Sequence, residues 1–160
     1  MKHRRGWAGL FLVLWLGGLP VAQAQPDGRR FGLGAQIGTP AGLTIKFYRV
    51  PPPSGTGWRP DALTLLAAWN RSAALRLHAY LTGERPIPDS PLRYFAGPGL
   101  VLGLAGTRPD ADLLLGAGGT FGVNFFRERF EVYLLAAPRL NLLPGLRGVL
   151  DAGVGLRYYF

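Results

Sequence analysis

Beyond residue 24 the chain offers few groups that can do chemistry. There is one histidine, His78, three serines, Ser54, Ser72 and Ser90, and no cysteine. A Ser–His pair is the least that nucleophilic acyl chemistry needs, with the imidazole taking the hydroxyl proton. Ser72 stands six positions from His78 at a turn, and no serine falls on a neighbouring strand at the height of His78. One histidine with Glu131 or Asp151 is too thin a donor set for zinc. Without cysteine there is no disulfide and no thiolate metal site. Two carboxylates at the right separation could hydrolyse a glycoside, but Glu131 and Asp151 have arginine partners in the pattern below. The stretch Gly38-Thr39-Pro40-Ala41-Gly42 with Lys46 has glycines and a lysine. It lacks Gly-Lys-Ser/Thr and a following helix, so it is not a phosphate loop. The expectation is a protein that is not an enzyme and uses no cofactor or metal.

The elements that must position these residues read as strands. No segment carries a long helical period, and eight carry a period of two. They are Phe31–Gly38, Leu43–Val50, Ala62–Asn70, Ala73–Thr82, Leu92–Ala105, Leu113–Phe126, Phe130–Leu140 and Leu150–Phe160. Tight turns are expected at Thr39–Gly42, Asn70-Arg71-Ser72, Thr107–Asp110 and Arg127-Glu128-Arg129. Proline-rich connections are expected at Pro51–Pro60 and Gly83–Pro91. Successive side chains of a strand face opposite ways. One face of every segment is apolar, and the other faces together hold most of the glycines and charges. Lys46, Arg76, Arg93, Glu131, Arg139, Asp151 and Arg157 all fall on the glycine-rich face, as does His78. A hairpin centred near Pro144-Gly145 sets Glu131 against Arg157 and Arg139 against Asp151.

Eight strands with short links fit an antiparallel up-and-down barrel, with both sheet edges removed by closure. An interior of that size is just wide enough for side chains. Long inward residues then need glycines beside them. In a soluble ligand-binding barrel the apolar face would point inward. Here the charged face is the one crowded with glycine, which places charges inside and lipid outside. The outward aromatics agree. Phe31, Phe47, Tyr94, Phe125, Phe130, Tyr158 and Phe160 gather at the end that holds both termini, and Trp69 stands at the other. Girdles of this kind mark membrane interfaces. The expected fold class is therefore all-β, an eight-stranded antiparallel up-and-down transmembrane β-barrel.

Residues 1–24 read as a cleaved signal peptide. Lys2, His3, Arg4 and Arg5 form a basic start, Trp7 to Leu19 an apolar run, and Ala22-Gln23-Ala24 a small-x-small cleavage site. Residues 25–160 form the barrel domain, at a formal +6 once Lys2, Arg4 and Arg5 are set aside. The basic residues are spread through alternating strands and make no run after Arg29-Arg30, so nucleic acid is not an expected partner. Export of a cysteine-free chain points to a bacterial envelope, and the barrel with its apolar outside to the bacterial outer membrane, with membrane lipid as its surroundings.

The terminal Gly155-Leu156-Arg157-Tyr158-Tyr159-Phe160 resembles the carboxy-terminal signal of bacterial outer-membrane proteins, through Gly155, Tyr158 and Phe160. Gly153 replaces the polar residue usual two positions before the glycine. The resemblance implies that the last strand is read by the barrel assembly machinery. The stretch from Gly32 to Tyr48, with Gly38-Thr39-Pro40-Ala41-Gly42-Leu43 and Lys46, is similar to the opening of a family of small bacterial outer-membrane barrels that end in Arg-Tyr-Tyr-Phe. The two ends carry this likeness, the middle only its pattern, and it implies fold and location, not chemistry. The leading expectation is a small outer-membrane barrel with a structural or surface-interaction role, its interior filled by side chains. Two alternatives stay open. One is a lipid-modifying membrane enzyme using His78, and the other a soluble periplasmic barrel around an apolar ligand. No small-molecule substrate is identified, and the sequence leaves open whether the proline-rich connections face the periplasm or the outside.

Overall fold

The computed structural model describes residues 30–49, 60–70, 73–105 and 112–160. The expected signal peptide lies outside these residues. So do the turn residues Arg71-Ser72 and Thr107–Asp110 and all of Pro51–Pro60 except Pro60.

Eight strands follow one another: β1 Phe31–Thr39, β2 Gly42–Tyr48, β3 Ala62–Asn70, β4 Ala73–Pro86, β5 Leu92–Ala105, β6 Asp112–Arg127, β7 Phe130–Leu143 and β8 Arg147–Tyr159. They form a closed antiparallel barrel in sequence order, with β1 pairing to β8. There is no helix among the described residues. The period of two is the cause. Each strand has one row of residues that fits an interior of small and polar groups and one row that does not.

The sides of the barrel are inverted relative to a soluble protein. Thr44, Lys46, His78, Glu131, Asn124, Asp151 and Arg157 are buried inside, while Leu33, Leu65, Leu77, Leu100, Phe121, Leu134 and Leu156 are exposed on the outside. A soluble monomer rarely exposes a continuous apolar patch above a few hundred Å². Here the apolar surface runs around all eight strands. On β7 its outward row runs from Phe130 to Leu142, on the order of 30 Å high for tilted strands. At the terminus end an aromatic run crosses four strands. Phe47, Phe31, Phe160, Tyr158 and Phe130 follow one another with ring centroids 5.2, 5.8, 5.0 and 5.3 Å apart. Phe121 departs from the sorting, since it sits in mid-belt between Ala96 and Ala136.

Glycine on the inner face has a specific use. Four of the large inward rings lie directly opposite a glycine of a neighbouring strand: Tyr133 over Gly155, Tyr80 over Gly99, Tyr159 over Gly32 and Phe95 over Gly122. A Cβ on Gly32 would stand 2.7 Å from the Tyr159 ring, and one on Gly155 would clash with the Cζ and hydroxyl oxygen of Tyr133. The glycine gives the ring a floor, and the ring covers backbone the glycine leaves bare. Gly155→Val is therefore expected to force Tyr133 off its rotamer and destabilise the barrel by about 1–3 kcal/mol. Equilibrium unfolding in urea would measure it. Val at Gly145, which has open space around it, is the control and should be nearly silent.

Two expectations need correction. The segment Gly83–Pro91 is not all connection. β4 continues to Pro86, with Glu84 opposite Phe95 and Pro86 opposite Arg93, and only 87–91 turn. Proline at the end of a strand gives up no ladder bond that the turn would have kept. The last hairpin is also longer than expected, reaching Leu143 on β7 and starting at Arg147 on β8.

Candidate functional site

The interior holds two polar clusters, one toward each end. The larger lies at the terminus end, where β2, β4, β5, β6, β7 and β8 each contribute. The alternation of β7 turns Glu131 inward, and that of β8 turns Arg157 and Tyr159 inward beside it. Glu131 is the centre. Its Oε1 accepts from Lys46 Nζ at 2.9 Å and Asn124 Nδ2 at 2.8 Å. Its Oε2 accepts from Arg157 Nη1 at 2.9 Å and from the Tyr159 hydroxyl at 2.6 Å. Glu84 is a second carboxylate. It pairs with Lys46, accepts from the Tyr48 hydroxyl at 3.0 Å and lies 3.6 Å from Arg93 Nε. Asn124 Nδ2 also reaches Glu84, at 3.2 Å, so it donates to both acids. Arg157 is held further by Thr44, at 3.1 Å, and its guanidinium stacks 3.8 Å above the Tyr133 ring.

The smaller cluster lies toward the other end. Arg139 Nε donates to Asp151 Oδ2 at 2.7 Å, and its Nη1 donates to Asn141 Oδ1. His78 Nδ1 lies 2.9 Å from the Tyr80 hydroxyl. His78 Nε2 and Asp151 Oδ1 are buried with no hydrogen-bond partner among the described residues. Between the clusters, Tyr133 donates to Gln36, which in turn donates to the Pro40 carbonyl. A cavity of about 10 Å³ between Lys46, Tyr80, Thr82 and Arg157 has room for one water. Thr82 Oγ1 lines it without another partner.

The expected charge network is placed as follows. Lys46, Glu131 and Arg157 form one unit, and Arg93 joins through Glu84. Arg139 and Asp151 form a separate pair. They are not opposite each other as expected. The hairpin keeps a single register, so Asp151 faces Ala137, Arg139 faces Val149, and the ion pair runs diagonally. Arg76 lies on β4 with its Cγ against Gly103, and no carboxylate among the described residues is at ion-pair distance from it. Of the assembly-signal residues, Tyr158 and Phe160 belong to the outer aromatic run, and Gly155 is the floor for Tyr133.

Sequence reasoning missed Glu84, Tyr48, Thr44, Asn124 and Tyr159 as members of the cluster. Glu84 had a signal. The alternation that places Arg76, His78, Tyr80 and Thr82 inward continues to it. The prolines at 86, 88 and 91 hid that continuation.

Lys46 lies between two carboxylates, Glu84 and Glu131. The phenols of Tyr48 and Tyr159 point at carboxylates they stabilise. Near His78 no described serine is available, since Ser90 lies in the β4–β5 turn at the other end and Ser54 and Ser72 are outside the described residues. Among the described residues no three His, Asp or Glu side chains come together as metal ligands. No helix among the described residues is long and apolar enough to cross a membrane, which says nothing of crossing by strands.

No known protein family, curated protein or solved structure matches the chain. The likeness of its two ends to small outer-membrane barrels rests on those residues alone.

Proposed function

We propose that the chain is a small integral outer-membrane β-barrel with a structural or surface-interaction role, exported by a cleaved N-terminal signal peptide. One observation carries this reading: the polarity of the wall is inverted, with leucines outside and a buried ion network inside. Water on the outside would leave the apolar belt exposed. Lipid on the outside satisfies it, and the closed ladder leaves no edge for hydrocarbon to strip of its partners. The aromatic run at the terminus end then sits at one interface, with Trp69 toward the other.

In this reading the terminus-end cluster is a plug that ties six strands through two acids. It gives the barrel a fixed cross-section and no continuous pore. The last strand, with Gly155, Tyr158 and Phe160, serves the assembly machinery as well as the closed wall. The chain acts through its presence and surface, not through turnover, and has no cofactor.

Fractionation tests the reading. The protein should sediment with the outer membrane, stay there through an alkaline wash and need detergent for release. Unheated samples should migrate faster in detergent gels than boiled ones. Release without detergent would replace this reading by the soluble periplasmic one.

A further inference from the structure

The small interior cavity has a polar lining of one kind. Lys46 on β2, Thr64 on β3, Thr82 on β4, Thr120 on β6 and Arg157 on β8 all border it, and apolar side chains such as Phe95 complete the wall. A lysine ammonium and an arginine guanidinium donate and cannot accept, while a threonine hydroxyl can do either. Neither Glu84 nor Glu131 is part of the lining. Glu131 bonds both Lys46 and Arg157, and so holds the two cations to the same cavity.

Donors are left over at this wall. The Lys46 ammonium has three N–H groups, and Glu84 and Glu131 take two of them. No described residue accepts the third. Thr82 is 2% exposed, and its Oγ1 borders the cavity without a partner. The Thr120 hydroxyl reaches the Ala136 carbonyl only at 3.5 Å, the edge of hydrogen-bond range. Buried donors are costly to leave without an acceptor.

We infer that this cavity binds one monatomic anion, chloride in ordinary media, held by the Lys46 ammonium, the Arg157 guanidinium and the Thr82 hydroxyl. A volume of about 10 Å³ admits one particle of water size and leaves no room for sulfate, phosphate or a carboxylate. Water is the competitor. It could accept from these donors, but its own two protons need acceptors, and the two cationic side chains offer none. An anion accepts from all of the polar lining. Burying an ion is costly unless charge and hydrogen bonds replace its water. Here two cations supply the charge, and the open N–H of Lys46 and the hydroxyl of Thr82 supply the bonds. The anion would thus be a removable part of the interior plug, and the barrel would hold more firmly with it than without.

The inference goes beyond the structural role, and its test does not depend on where the barrel resides. The full chain, folded in detergent micelles, is unfolded by urea in sodium bromide and in sodium gluconate of equal ionic strength. Gluconate is too large for the cavity. Above the dissociation constant, each tenfold rise in bromide should shift the unfolding equilibrium about tenfold toward the folded barrel. Thr82→Val keeps the shape of the side chain and removes the hydroxyl. In gluconate it should be at least as stable as the parent, because the hydroxyl has no partner to lose. In bromide it should need at least about tenfold more anion for the same gain, the worth of one hydrogen bond to a charged group. Crystals grown in bromide should show anomalous scattering between Lys46 Nζ and Thr82 Oγ1. Equal stability of the parent in the two salts, an undiminished bromide effect in Thr82→Val, or a cavity that holds water alone would overturn the proposal. Should Thr82→Val fail to fold, the anomalous signal of the parent protein decides.

Discussion

Replacing Glu131 by alanine should destabilise the barrel by about 3–5 kcal/mol, because it leaves buried cations without their carboxylate. Glu131 is fully buried and takes four donors, two of them cationic. Lys46 would retain Glu84, but Arg157 would retain only Thr44 and the Tyr133 ring. The large effect comes from the orphaned partners. It does not mean that the intact network adds that much over a well-packed apolar interior. A double-mutant cycle separates the two. Glu131→Ala with Arg157→Ala should be clearly less damaging than the sum of the single changes, with a coupling of about 1–3 kcal/mol. Arg157→Glu should be worse than either, since it sets a third carboxylate beside Glu131 and Glu84. Arg108→Glu, in the turn that the sequence leads one to expect at Thr107–Asp110, is the reference with little effect. Urea unfolding in lipid vesicles, followed by tryptophan fluorescence, reads all of these. Equal effects of Arg157→Glu and Arg108→Glu would remove the network from the account of stability.

The second large effect is on the outer wall. Leu134 is exposed, is the fifth of the 14 residues of β7 and faces Val123 and Val154 on the neighbouring strands. Leu134→Arg should cost about 2–4 kcal/mol in a bilayer, where the new charge meets the middle of the hydrocarbon. Phe130→Arg, at the aromatic end of the same strand, should cost about 0–1 kcal/mol, because the guanidinium can reach the interface. The ratio carries the information. In a barrel surrounded by water both changes would be surface substitutions, worth about 0.5 kcal/mol or less either way. The same unfolding titration in vesicles measures both.

The local pattern made the fold legible. Strand number, order, inner and outer rows and the Glu131–Arg157 pairing all follow from alternation and short turns. Alternation is a property of five or six neighbouring residues, so a sequence displays it directly. The parts that were not legible depend on geometry across the barrel. Lys46 and Glu131 are 85 positions apart and meet only because strand tilt brings β2 and β7 to one height. No hairpin count gives that. Arg139 and Asp151 pair diagonally because a long arginine reaches past its opposite number, Val149, to the next rung. Glu84 was hidden because prolines read as breaks, whereas Pro86 only ends its strand. The glycines were read correctly as space for long neighbours. Their specific partners, the rings of Tyr133, Tyr80, Tyr159 and Phe95, required the register of each adjacent pair.

The claim on which the rest depends is that Leu134 and its row face lipid while Glu131 and its row face inward. A single tryptophan reports on it directly. Leu134→Trp, in residues 25–160 with Trp58 and Trp69 changed to phenylalanine, is refolded into vesicles whose acyl chains carry bromine near their ends. Strong quenching by the bromines with little quenching by aqueous iodide is the expected result. Strong iodide quenching with no effect of the brominated chains would contradict a lipid-facing wall.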